Sequence, residues 1–183
     1  MKISCYGDSN TWGYDPRGYF GGRYDYPWPA ILAEKLNCSV CNWGINGRKI
    51  PTEAVEFSSD TDLLILMLGT NDLLEGASPE AACHKMEQFL KSRNLNRVLL
   101  IAPPVMKPGA WVQDQKLIDD SACLAKLYQS LAKRLGVRFA DAGQWNIPLA
   151  YDGVHLSEEG HRVFAERLTE YLEKENELCW KQA

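Results

Sequence analysis

Ser9 lies in Gly7-Asp8-Ser9-Asn10-Thr11-Trp12-Gly13, directly after the apolar run Lys2-Ile3-Ser4-Cys5-Tyr6. A serine on a glycine-bordered turn leaving a buried strand can serve as a nucleophile. The backbone turns sharply there, and the hydroxyl projects from the end of the sheet. Such a serine needs a base, and Asp152-Gly153-Val154-His155 offers one. His155 would take the Ser9 proton and return it to the leaving group. Asp152, three residues earlier, reaches the other imidazole nitrogen and fixes its tautomer. A tetrahedral oxyanion would need donors aimed at it: the backbone N–H groups of Ser9 and of a glycine within residues 42–48, and the side-chain amide of Asn71. The chemistry that this set could perform is acyl transfer.

Each feature has a plainer reading. Serine beside Asp and Gly closes turns or caps helices, and Asn71-Asp72 and Asp152-Gly153 are common turn pairs. The spacing around Ser9 is not a G-x-S-x-G elbow, so the α/β-hydrolase fold is not implied. Of the three histidines, His84 falls inside a helical pattern. His161 falls in the last helix, where Arg162 and Glu159 read as an exposed face. Only His155 sits in a strand-exit loop. The chemical reading rests on the joint placement of these loops.

That placement follows from the elements. Apolar runs at 3–6, 40–43, 63–68, 98–102 and 137–140 are short and nearly continuous, as strands covered on both faces are. Helical patterns lie between them. One runs from Pro29 to about residue 36, and one starts at Ser78-Pro79-Glu80 with Ala82, Met86, Phe89 and Leu90 on a face. A third repeats through Leu117, Leu124, Tyr128 and Leu135 and stops at Gly136. The last opens at Ser157-Glu158-Glu159 and buries Phe164 and Leu168. Alternating β and α units of this length demand a parallel sheet with helices on both faces, an α/β/α three-layer fold. Functional groups then gather at the carboxyl ends of the strands, where the loops bearing Ser9, Asn42–Arg48, Asn71 and His155 all fall.

Composition bounds the rest. The 183 residues suit one domain, 1–183, with 176–183 as a tail. A 45% hydrophobic and 24% charged make-up is that of an ordinary globular protein. The net charge of -4, without a Lys/Arg-rich run, speaks against nucleic acid and anionic membranes as partners. No run is long enough to span a bilayer, and with Met1 followed at once by a strand no leader is expected. Cys38-x-x-Cys41 has redox or zinc half-site spacing, but no second pair or nearby His completes it. The six cysteines are read as free thiols, which implies a cytoplasmic location.

Gly7-Asp8-Ser9, the glycines between Asn42 and Gly47, Gly69-Thr70-Asn71-Asp72 and Asp152-x-x-His155 resemble, in order and approximate spacing, the four blocks of the SGNH (GDSL-type) hydrolases. Gly7 to Gly13 with Asn46-Gly47-Arg48 is most similar to the arylesterase and acyltransferase branch. The resemblance implies a flavodoxin-like fold, a Ser9-His155-Asp152 triad, Asn71 as an oxyanion donor, and no metal or cofactor. It also selects Gly47 over Gly44 as the glycine donor, leaving Gly44 as a turn former. Asn10 stands where the family name has Leu, a position that varies among members.

The expected activity is a serine esterase acting on small carboxylic esters, acetyl or other short acyl. A carbohydrate acetylesterase, an acyl thioesterase or a lysophospholipase would use the same machinery. A rival of another class is a flavodoxin-like binding module with Ser9, Asn10 and Thr11 around a phosphate, which leaves Asp152 and His155 without a task. Around the cleft, Trp12 is the first wall candidate, with Val105 from Pro103-Pro104-Val105-Met106 opposite and Trp145, Tyr151 and Val154 from the last loop. The aromatics from Trp12 to Trp28 read either as a self-packed excursion or as a lid. Cys179-Trp180 reads either as a contact with a second subunit of a homo-oligomer or as a folded-back tail.

Overall fold

The computed structural model describes residues 1–18, 21–91 and 97–180, with side chains described as far as 175. Tyr19, Phe20 and the Cys179-Trp180 side chains lie outside the described residues. Five strands form one parallel sheet: β1 (Lys2–Gly7), β4 (Ser39–Gly44), β5 (Leu63–Met67), β6 (Val98–Ala102) and β7 (Arg138–Asp141), in the order β4-β1-β5-β6-β7. Every residue of β5 and β6 is buried, so a charge on either face would be stranded without water. Apolar side chains there each contribute about 1.5–3 kcal/mol by leaving water.

Two helices cover each face. On one face Met86 of α4 (Pro79–Lys91) and Tyr128 of α5 (Gln115–Leu135) share a core with Leu64, Leu66 and Leu100; on the other Trp28 of α2 (Trp28–Leu36) and Phe164 of α6 (Glu158–Trp180) share one with Ile3, Ile65 and Ile101. The helix signals of the sequence act where expected. Asp114 caps α5, its side chain accepting from Lys116 N–H, and Gly136 closes it in the left-handed conformation. Four short elements were not anticipated: α1 (Ser9–Trp12), a hairpin of β2 (Tyr14–Asp15) and β3 (Gly22–Arg23), α3 (Thr70–Leu74), and a 3-10 turn (Ala142–Trp145). Each is too short to show a hydrophobic period.

The register decides which loops meet. Gly7 of β1, an interior strand, is level with Gly44 of β4 on one side and Met67 of β5 on the other. The chain leaves β1 for one neighbour and reaches the other through β4, so the sheet order reverses at β1/β5. The carboxyl ends of these three strands therefore present the Ser9 turn, the 45–50 loop and α3 side by side.

Candidate active site

α1 starts as β1 ends. Asp8 caps it, its Oδ1 accepting from the Asn10 N–H at 2.9 Å. Ser9 is thus the first helical residue, and its N–H has no acceptor within the helix. The helix lies across the end of β4: a Cβ on Gly44 would come within 2.1 Å of the Trp12 nitrogen. Gly44 is the last residue of that strand, not a turn former, and glycine is needed there for close approach. Asn42 completes the seam, donating to Thr11 O at 2.8 Å and accepting from Gly44 N–H at 2.9 Å.

Ser9 Oγ lies 3.0 Å from His155 Nε2, and His155 Nδ1 lies 2.6 Å from Asp152 Oδ2. The other Asp152 oxygen accepts from the N–H groups of Val154 and His155, each at 2.9 Å. All three residues are buried, with Asp152 0% exposed, His155 3% and Ser9 7%. Burial raises the Asp152 carboxyl, but the His155 ring and the two N–H groups outweigh it and hold it below its ordinary value. An ionised carboxylate only accepts, so Nδ1 must carry the proton and Nε2 is left as an acceptor facing the Ser9 hydroxyl. The arrangement can withdraw the proton of Ser9 and hold it within the site.

The remaining loops are tied to the same edge. Asp72, fully buried, accepts from Ile50 N–H at 2.9 Å and pairs with Lys85 at 2.9 Å. Arg48 donates to Gly7 O at 3.1 Å and to Trp43 O, with its guanidinium 4.0 Å from the Tyr6 ring centroid. Gly47 has φ +72, and a Cβ there would meet nothing within 4 Å, so its backbone is open to approach. The Asn71 amide donates to Arg48 O at 3.1 Å. That bond uses one of its two N–H groups and sets the side chain beside Gly47.

Asn10 does more than the sequence reading allowed. It is 3% exposed; its Nδ2 donates to Val154 O at 3.2 Å, and its Oδ1 accepts from Leu156 N–H at 2.8 Å. Those two groups flank His155, so one side chain of the serine turn grips the histidine loop on both sides. A lone Asn after a serine carries no signal of this, because its partners lie more than a hundred residues away.

The expected walls divide. Trp12 is half-buried, its ring 5.3 Å from the Arg23 guanidinium. Val105 is half-buried, a methyl group turned toward Gly143. Val154 is 4% exposed and belongs to the core on the α4/α5 side, and Trp145 packs on Phe164 at 5.3 Å, under α6 rather than over the cleft. The aromatics of 12–28 likewise split: Trp28 is fully buried against Phe164, whereas Tyr14 lies 4.5 Å from the His155 ring. Trp111, which the sequence reading did not single out, lies 5.0 Å from that ring.

His161 is the clear correction. It is 1% exposed instead of lying on an exposed face: Nδ1 accepts from Trp28 N–H at 3.2 Å, and Tyr24 packs edge-on at 5.1 Å. Burial drives its pKa down to about 3, so the ring is neutral. The unfolded chain binds a proton that the folded one refuses, so stability falls as pH drops from 6.5 toward about 3. Against a His161→Gln variant, which keeps an acceptor for Trp28, the wild type should lose about 1.4 kcal/mol per pH unit in that window and nothing above it. Urea melts at stepped pH read this difference; parallel lines for the two proteins would refute it.

A family model described as the GDSL-like lipase/acylhydrolase family matches residues 5–163. The chain belongs to that family and is a carboxylic ester hydrolase. Among solved structures it is similar to an aryl esterase of M. smegmatis, at 25% identity and TM-score 0.81, over 95% of this chain and 99% of that one. It is also similar to a carbohydrate acetylesterase family member from Sinorhizobium meliloti, at 26% identity and TM-score 0.78, over 94% and 97% of the two chains. No curated protein matches the chain in sequence.

Proposed function

We propose that this hydrolase cleaves small esters of acetyl or other short acyl groups through an acyl-enzyme on Ser9. His155 Nε2 takes the hydroxyl proton as Ser9 Oγ bonds to the ester carbonyl carbon. The negative charge moves to the carbonyl oxygen, which accepts from the N–H groups of Ser9 and Gly47 and from the Asn71 amide. The carbon–oxygen bond to the alcohol breaks, and the proton on His155 goes to the departing oxygen. Water then attacks the acyl carbon, giving its proton to His155; the bond from that carbon to Ser9 Oγ breaks, the carboxylic acid leaves, and His155 returns the proton to Oγ. Asp152 holds the ring and stabilises its charged form. The observation that carries this reading is the buried hydrogen-bonded chain of 3.0 and 2.6 Å from Ser9 through His155 to Asp152. A phosphate-binding module would have no use for that chain.

The likeness to the S. meliloti carbohydrate acetylesterase supports acetylated sugars as a second substrate class. Among the described residues, Cys5, Cys38, Cys41, Cys83 and Cys123 are unpaired, which supports a reducing cytoplasmic setting over a CxxC redox role. None of the described helices is long and apolar enough to cross a membrane.

A fluorophosphonate probe should label the wild type on Ser9 and spare Ser9→Ala; labelling elsewhere, or none, would sink the reading. Asn71→Ala should lower kcat by roughly a hundred- to a thousandfold with little change in KM, because its second N–H meets charge that develops only in the transition state. A rise in KM alone would assign Asn71 to substrate binding instead. Asn10→Leu removes both grips on the His155 loop, and a displacement on the order of 1 Å there should cost about a hundredfold in kcat. Asn10→Asp, which keeps only the acceptor for Leu156, should fall between. Steady-state rates on nitrophenyl acetate measure all three, and full activity in Asn10→Leu would show that the loop holds itself.

A further inference from the structure

We propose that Trp111 and Tyr14 form the subsite for the alcohol half of the ester, and that this half is a six-membered ring whose apolar face lies against Trp111. The inference rests on the esterase reading above. In that mechanism His155 delivers its proton to the departing oxygen, so whatever flanks His155 flanks the alcohol. The carbonyl oxygen of the acyl half points instead toward the oxyanion donors at Gly47 and Asn71.

Two rings flank His155. Tyr14 lies 4.5 Å away at 50°, and Trp111 lies 5.0 Å away at 81°, nearly edge to face. Their exposure separates a structural role from a binding one. His155 is 3% exposed, but Trp111 keeps 50% of its surface in water. A tryptophan present only to cover the histidine would be buried with it. A large apolar face left open beside a buried polar centre is a surface for a ligand to dry.

The backbone that carries this ring is tied to the histidine loop. Lys107 N–H donates to Gly153 O at 2.9 Å, Ala110 N–H to Tyr151 O at 3.1 Å, and Trp111 N–H to Asp152 O at 3.0 Å. Gly109 closes the seam, since a Cβ there would sit 2.4 Å from the Asp152 carbonyl carbon. The Trp111 backbone is therefore anchored to the segment that carries Asp152 and His155. The Tyr14 side is tied to the same segment, because Tyr151 Oη donates to Pro16 O at 3.0 Å. A ring entering here meets side chains carried on an anchored backbone, which lowers the ordering that opposes binding. Phenols and pyranoses both offer a six-membered ring with an apolar face.

The test compares acetate esters that share the acyl group and differ in the alcohol: phenyl acetate for the aryl source, an acetylated methyl glucoside for the sugar source, and methyl acetate as the ringless reference. Trp111→Leu keeps bulk and removes the ring, whereas Trp111→Phe keeps a ring. In Trp111→Leu the ratio of kcat/KM for a ring ester to that for methyl acetate should fall about tenfold, the scale of one aromatic contact. Trp111→Phe should restore most of that ratio. Whichever ring ester shows the fall identifies the source. The acceptor side must agree, since an alcohol attacking the acetyl-enzyme occupies the same place and gives its proton to His155. Acetyl transfer to benzyl alcohol or methyl glucoside relative to methanol should drop by the same factor. An equal loss on all three esters would make Trp111 a support for His155 and overturn the subsite. An unchanged ratio in Trp111→Leu would overturn it too. If the wild type hydrolyses none of the esters and Ser9 takes no fluorophosphonate, the esterase reading itself falls, and the subsite with it.

Discussion

Ser9→Ala should reduce ester hydrolysis by on the order of a million-fold in kcat, the loss recorded when a triad serine is removed elsewhere. The size follows from the site. Without the Oγ at 3.0 Å from His155 Nε2 there is no atom to form the acyl-enzyme, and water attacking directly would need its own positioning. The fold should survive. Ser9 Oγ makes its hydrogen bond to His155, while the cap of α1 is supplied by Asp8 and the seam to β4 by Asn42. Circular dichroism and thermal melting of the variant should therefore match the wild type while single-turnover release of nitrophenol vanishes. Retention of more than a few per cent of activity would exclude Ser9 as the nucleophile.

Asp152→Asn should cost up to about ten-thousandfold in kcat, by presenting the wrong imidazole tautomer to Ser9. An amide offers N–H where the carboxylate accepted, so Nδ1 would turn acceptor and Nε2 would carry the hydrogen. The penalty should be somewhat smaller than that full value because the ring is held independently. The main chain of 149–156 closes on itself, with Ala150 N–H donating to His155 O at 2.7 Å, and Asn10 grips both sides of His155. His155→Ala should be at least as damaging. The double variant should be scarcely worse than His155→Ala, since groups that act as a unit lose their effect together. His161→Gln, run in parallel, should keep near-normal rates. Additive losses for Asp152 and His155, or an inactive His161→Gln, would refute the roles assigned here.

Much of this architecture is local information. The five strands appear within a residue or two of the apolar runs that announced them, because a strand covered on both faces admits only apolar side chains. The four long helices appear where proline, caps and a terminal glycine placed them. From strands alternating with helices, a parallel sheet follows, and with it the rule that strand-exit loops share an edge. Ser9, Asn71, Asp152 and His155 could be gathered as candidates on that rule alone. Nothing further was legible about their neighbours. His161 illustrates why: its helix is amphipathic by pattern, but the width of the buried stripe depends on what packs against it. The partners are Trp28 and Tyr24, more than 130 residues earlier.

Element order, the candidate loops and residue types able to transfer an acyl group are local properties of this chain. Those properties depend on spacing within some twenty residues and on the stereochemistry of strands and caps. Long-range packing alone makes Asn10 grip the His155 loop, brings the α1 backbone against Gly44, and sets Trp111 and Tyr14 beside the histidine. These are contacts between segments that meet only through sheet register and the packing of loops. A one-residue change in the pairing of β1 with β4 would separate Gly44 from Trp12 without altering any local pattern.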